Sequence, residues 1–351
     1  MEFSLFYFGN DSDAGDDAGN RYDLVLEGAR FADTHDFAAV WTPERHFHAF
    51  GGLYPNPAVT GAAVAAVTSR VAIRAGSVVA PLHHPLRIAE EWAVVDNISG
   101  GRVGLAFASG WHATDFALRP ESYENRRDVV LDSVRTVRSL WRGEEIDVLD
   151  GAGAPQRVRS YPRAVQSELP VWITSAGGVE TFRHAGTLGA GVLTHLLGQD
   201  IDDLAGKIAA YREAYAARPD ADGSAGHVVV MAHTYLDSDE DTARALVRDP
   251  LTAYLRTSVN LLLGSQAHGS ARRVDPAKLR DKDLDFLAAR AFDRYYEDGA
   301  LLGTVPKAAR VVERLKGLGV DEIACLVDFG LPTKVVLDGL HTLDELRRAT
   351  A

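Results

Sequence analysis

The segment Glu44-Arg45-His46-Phe47-His48 sets a carboxylate, a guanidinium and two imidazoles side by side, directly after the apolar run Ala38-Ala39-Val40-Trp41. An imidazole beside a carboxylate can take up or release a proton near neutral pH. A guanidinium can hold an anionic substrate group or a negative charge that develops in a reaction, unless a salt bridge to Glu44 occupies it. If the apolar run is a buried parallel strand, these groups emerge at its C-terminal end, the edge where α/β proteins collect their reacting groups.

His46 and His48 also form a His-x-His pair, which with His195 and Asp328 has the chemistry of a catalytic metal site. Against that reading, the pair follows the second strand-like run rather than the first. The fourth run ends in Ala108-Ser109-Gly110, with no bridging lysine or carboxylate. No metal is expected.

Two further stretches invite a ligand. Gly76-Ser77 interrupts the run Val71–Val79, where a glycine marks either a bulge against a ligand or a packing constraint. Thr174-Ser175-Ala176-Gly177-Gly178 joins a strand-like run to a helix-like one, and backbone N–H groups at such a turn suit an anion such as phosphate. Steric need for glycine is the alternative. Arg126 or Arg127 could supply the compensating charge.

Strand-like runs alternate with amphipathic segments from end to end. The runs are Phe3–Phe8, Ala38–Thr42, Val71–Val79, Arg102–Ala108, Val171–Thr174, Gly191–Thr194, His227–Tyr235 and Asp321–Val327. Between them, Ile88, Trp92 and Val95 share one helical face that Gly100-Gly101 stops, and Ser122 is placed to cap a helix with Val130, Val134, Val137 and Trp141 on its buried stripe. Eight such units without a compositional break predict a single α/β domain over residues 1–351, a (β/α)₈ TIM barrel with insertions. A barrel needs ~250 residues, which leaves about 100 for insertions. Most fall in 237–303, where the polar piece 264–283 reads as an active-site lid or as a solvated connector.

A formal charge of -12, with 46% apolar and 25% charged residues, argues for a globular enzyme and against nucleic acid or an anionic membrane as partner. The one cysteine, Cys325, rules out an internal disulfide and reads as a buried strand thiol. The N-terminus has no basic region before its apolar run, and no stretch reaches the ~20 apolar residues of a membrane span. The expected location is the cytoplasm.

These motifs, in their order, resemble the bacterial luciferase-like flavin monooxygenases over nearly the whole chain. The matching pieces are Glu44-Arg45-His46-Phe47 with Asn56-Pro57, the turn Pro81-Leu82-His83-His84-Pro85, the helix Ala89–Asp96, Gly110-Trp111-His112 with Asp115-Phe116, and Gly303-Thr304-Val305-Pro306 before Gly319–Ile323. The nearest likeness is to the mupirocin-type subgroup of natural-product biosynthesis.

The resemblance implies FMN, bound reduced after delivery by a separate flavin reductase, which reacts with oxygen to oxygenate a small-molecule or carrier-bound substrate. It implies that Gly76 and Ser77 bulge against the flavin ring through a non-prolyl cis peptide. Ala108 and Ser109 would line the flavin, with Arg126, Ser175, Ala176, Gly177, Gly178 and Thr181 around its phosphate. His46 would serve as acid/base, with Glu44 and Arg45 beside it, and Phe8, His48, Trp111 and His195 would line the substrate pocket. A homodimer is also implied.

Three departures matter. Arg45 stands where luciferase has the first of two histidines, so light emission from an aldehyde is not expected. Ala176 replaces a glutamate and Ser109 an arginine. A metal-dependent barrel hydrolase, a deazaflavin-dependent oxidoreductase and a non-catalytic flavin-binding protein are the rival readings.

Overall fold

A computed structural model of the chain describes residues 1–9, 20–221, 223–257 and 280–351. The apolar runs become strands: β1 (Glu2–Phe6), β2 (Ala39–Thr42), β3 (Ala72–Val79), β4 (Val103–Ala108), β7 (Val171–Ser175), β8 (Gly191–His195), β9 (Val228–Leu236) and β11 (Glu322–Leu326). These eight pair in parallel in the order β1-β2-β3-β4-β7-β8-β9-β11, and β11 returns to β1, which closes the barrel. The excursion 144–162 is an antiparallel hairpin, β5 (Ile146–Leu149) with β6 (Pro155–Val158). A short strand β10 (Leu301–Gly303) adds to the end of β9.

Strand alternation decides what faces inward. Trp41 lies opposite Phe6 and Arg74 in register. The N-terminal end of the barrel is plugged by Glu322, which is fully buried, with Arg74 Nη1 at 2.5 Å from its Oε2 and Trp41 Nε1 donating to its Oε1 at 3.0 Å. The Arg74 guanidinium stacks over Trp41 and Trp172. An ion pair this deep persists because its remaining hydrogen bonds are made. Above the plug, a Cβ on Gly76 would lie 2.6 Å from the Phe6 ring, so Gly76 answers a packing need.

The helices start and stop where local chemistry directs. Asn56 Oδ1 accepts from the Ala58 and Val59 amides to open α2 (Pro57–Val67), and Gly100, at φ +69°, closes α3 (Pro85–Ser99). Ser122 does not cap α4 (Arg126–Arg142): it ends a 3₁₀ turn, Pro120–Ser122, and the helix starts one turn later behind Asn125. α6 (Ile201–Ala216) carries little sequence signal, because its apolar and polar positions are weakly segregated. Cys325 is buried.

In the 237–303 region, α7 (Glu240–Thr257) packs against α8 (Asp281–Asp298). Of the expected lid or connector 264–283, the part 264–279 lies outside the described residues, and its end forms the start of α8. Among the described residues, no helix is long and apolar enough to cross a membrane.

Candidate active site

The loop after β2 turns Glu44 inward until its side chain has no exposure. Val79 N–H donates to Oε2 at 2.7 Å, while His46 Nε2 and His83 Nε2 both reach Oε1, at 2.8 and 2.5 Å. Burial pushes the Glu44 carboxyl upward, but the two imidazoles and the amide outweigh it and hold the group below its ordinary range. For His83, burial works downward and the Glu44 carboxylate overrides it, so its proton is held more tightly than usual. His83 belongs to the Pro-Leu-His-His-Pro turn, whose residues carry no role in the sequence reading.

Arg45 pairs with Asp115 and not with Glu44. Its Nη1 lies 2.6 Å from Asp115 Oδ2, both side chains are nearly closed to solvent, and its guanidinium stacks 5.1 Å from the Trp111 ring centre. The reason is stoichiometric: the Glu44 oxygens are already taken by His46, His83 and the Val79 amide. Burial raises the Asp115 carboxyl more than Arg45 lowers it. Burial, then Arg45, makes His112 a weaker base. His48 Nδ1 accepts from the Phe50 amide at 2.9 Å, and its ring lies 6.2 Å from that of His112.

Inside the rim, the Gly76–Ser77 peptide is cis, the register with β4 shifts between Gly76 and Val78, and Ser77 Oγ meets Thr174 Oγ1 at 2.6 Å. Ala108 ends β4 with Ser109 next to it, and Phe8 packs on Phe50. His195 and His233 stand on adjacent strands, and burial pushes their pKa values down to about 4 and about 3. His233 Nδ1 meets Tyr295 Oη at 3.1 Å. Asp328 accepts from Tyr54 Oη at 2.9 Å, and burial raises it to about 6.

The metal set read from the sequence is not gathered. Among the described residues, His46 shares a metal-sized group of donors with Glu44 and His83, without His48, His195 or Asp328. In that group both Nε2 atoms are spent on one carboxylate oxygen, the arrangement of a hydrogen-bonded triad.

At the glycine turn, Ser175 is buried and its Oγ accepts from the Gly177 amide at 3.2 Å; Gly177 takes φ +111°. Ala176 stands exposed between them. Gly178 caps α5 (Val179–Thr187) without a side-chain bond, and Thr181 lies in the first turn, so N–H groups are left for an anion. Arg126 is engaged elsewhere: its Nη1 donates to the Tyr123 carbonyl at 2.6 Å and its guanidinium covers the Tyr123 ring. The cation that reaches the turn is Lys207, 3.4 Å from where a Gly177 Cβ would stand, with its Nζ donating to Gln199 Oε1 at 2.6 Å. Local sequence gives no sign of it, because Lys207 arrives from α6.

Six buried side-chain polar atoms lack a hydrogen-bond partner among the described residues: Tyr7 Oη, Arg45 Nε, His112 Nδ1, Asp115 Oδ1, His195 Nδ1 and His233 Nε2. All belong to the C-terminal ends of barrel strands or the loops that follow them. Buried polar atoms are otherwise nearly always paired, so this concentration singles out the C-terminal end of the barrel as the place where hydrogen-bonding capacity is left open. A cavity of about 660 Å³ opens at the opposite end, beside Trp172 and His227, but its arginines are already engaged: Arg138 by the Leu188 and Gly189 carbonyls, Arg142 by Glu144.

Residues 1–322 match the family model described as luciferase-like monooxygenase. The chain belongs to that family. As a luciferase-like monooxygenase it is 24% identical over 341 residues to the oxygenase component of the flavin-dependent trigonelline monooxygenase of Acinetobacter baylyi, a match covering 94% of this chain and 90% of that one. Among solved structures, monooxygenase RslO1 from Streptomyces bottropensis superposes with a TM-score of 0.78 at 24% identity, with both chains fully covered. The oxygenating constituent of 3,6-diketocamphane monooxygenase from Pseudomonas putida, a type II Baeyer-Villiger enzyme solved with FMN, gives 0.72 at 18% identity and covers 98% of this chain and 95% of that one. An F420-dependent secondary alcohol dehydrogenase gives 0.72 at 19%, covering 100% and 99%. The luciferase-like barrel is thus common to oxygenases and to deazaflavin enzymes.

Proposed function

We propose that this luciferase-like monooxygenase binds reduced FMN from a separate flavin reductase and uses molecular oxygen to hydroxylate a natural-product intermediate, or to insert oxygen into it in Baeyer-Villiger fashion. The observation that carries the reading is the gathering of the six buried polar atoms left unpartnered among the described residues on the rim that also holds the Glu44, His46 and His83 triad. The donor set fits a flavin phosphate: a glycine turn with free amides, a serine and a lysine that has no carboxylate within ion-pair distance among the described residues.

Reduced FMN supplies the electrons that activate oxygen. The chain's own residues bind, orient and exclude water. Ser175 to Gly178 and Thr181 hold the phosphate, with Lys207, which reaches Gly177, in place of Arg126, which is engaged by Tyr123. Gly76, Ser77, Ala108 and Ser109 flank the ring system. Phe8, His48, Trp111 and His195 line the space left for substrate. His46 exchanges a proton with the reacting oxygen, and Arg45, already neutralised by Asp115, orients polar substrate groups instead of binding a carboxylate.

The test is a titration of the protein with reduced FMN, riboflavin and reduced deazaflavin, followed by oxygen uptake in the presence of a flavin reductase. Tight FMN binding, and a product heavier by one oxygen atom, are expected. Preference for deazaflavin, or oxygen uptake unaffected by the protein, would sink the reading.

A further inference from the structure

We propose that His83 is a positioning residue for the reaction: by taking the charge of Glu44 for itself, it keeps His46 an uncharged imidazole, free to exchange a proton with the reacting oxygen. The proposal rests on the reading of His46 as the proton-exchanging group at the flavin.

Two imidazoles compete here for one carboxylate oxygen. Glu44 Oε1 receives His83 Nε2 at 2.5 Å and His46 Nε2 at 2.8 Å, and Oε2 is held by the Val79 amide. One negative charge in a closed site can stabilise one imidazolium well; a second would meet the first across a single oxygen atom. The shorter contact belongs to His83, and the Glu44 carboxylate raises that ring's pKa against the opposing effect of burial. His83 is also the more open ring, with its side chain 26% exposed against 11% for His46, so its imidazolium keeps more hydration.

The other charged groups around the pair do not reverse this. Glu91 of α3 favours the charged form of His83, and Arg119, whose Nη1 donates to the His83 carbonyl at 2.8 Å, opposes it. On the other side, Asp115 senses His46, but Arg45 already pairs with it. His83 is thus the ring placed to hold the proton that pairs with Glu44, and His46 meets the same oxygen through Nε2. Nothing is oxidised or reduced in this arrangement; it fixes where one proton rests.

Ring titrations by NMR on the protein without flavin test it directly. In the wild type His83 is the imidazolium of the pair. In His83→Gln the full Glu44 charge falls on His46, and the His46 titration moves upward. His83→Lys, which restores a cation, moves it back. With reduced FMN bound, the pH profile of flavin reoxidation in His83→Gln shifts to higher pH and recovers in His83→Lys, while a role confined to packing would lower the rate without moving the profile. A His46 titration that stays in place in His83→Gln overturns the proposal. A wild-type protein that fails to bind FMN contradicts the functional reading instead, and the ring titrations still decide the coupling of His83 to His46.

Discussion

Arg45 gives its guanidinium to Asp115, seventy positions away, and leaves Glu44 beside it to two histidines. The consequence is a rim in which two acidic groups are separately neutralised by two kinds of cation. Arg45 and Asp115 form a charge-balanced pair with one free N–H and one free oxygen, while both imidazoles of the Glu44 triad meet one carboxylate oxygen.

Removing one member of the buried pair exposes its value. Asp115→Ala strands the Arg45 guanidinium, and the expected loss is about 3 kcal/mol of unfolding free energy. Urea denaturation measures it. The double variant Arg45→Met with Asp115→Leu should recover most of the loss, because no unpaired charge remains.

At the phosphate turn, Lys207→Met should weaken FMN binding by roughly ten-fold to a hundred-fold, the worth of one charge-assisted hydrogen bond. Riboflavin, which has no phosphate, should bind both proteins equally. Flavin fluorescence titrations separate the two cases, and an equal loss for riboflavin would mean that Lys207 acts through the fold.

Stability should fall on the acid side. His195 and His233 have folded pKa values depressed to about 4 and about 3, so below about 6.5 the unfolded chain binds protons that the fold refuses. Asp328, raised to about 6, acts in the opposite direction, but it is one group against two. Unfolding free energy measured against pH should drop from near neutrality downward, and His233→Phe should flatten part of that slope.

His83 works on the alkaline side. Its folded pKa is raised, so its contribution is fully present below the unfolded value of about 6.5 and is lost as pH rises through the folded one. Glu44, depressed in the fold, contributes above its unfolded value and loses that as pH falls through its folded one. Chemical denaturation across alkaline pH should show a decline in the wild type that is absent in His83→Gln.

How much of this the sequence carries differs by element. The eight barrel strands are legible because each is a short apolar run bounded by turn residues, and Gly100 and Asn56 mark helix ends through local chemistry. Ser122 misleads because a capping residue type is also a common turn residue, and Asn125 lies nearer the helix. The Glu44 to His48 cluster is visible as a group, but its partners are not. Asp115 and His83 reach it from other loops, and Lys207 reaches Gly177 from a helix whose weak amphipathicity hides it. Local spacing reports what a segment offers, and the barrel's closure decides what each group meets.

The most direct test of the central claim is a structure of the protein with FMN. The phosphate is expected at Ser175 to Gly178 within reach of Lys207, and the ring system at the C-terminal rim over Gly76-Ser77, on the side of the Glu44 triad. Flavin lodged in the cavity beside Trp172 and His227, or no flavin at the rim at saturating FMN, would contradict it.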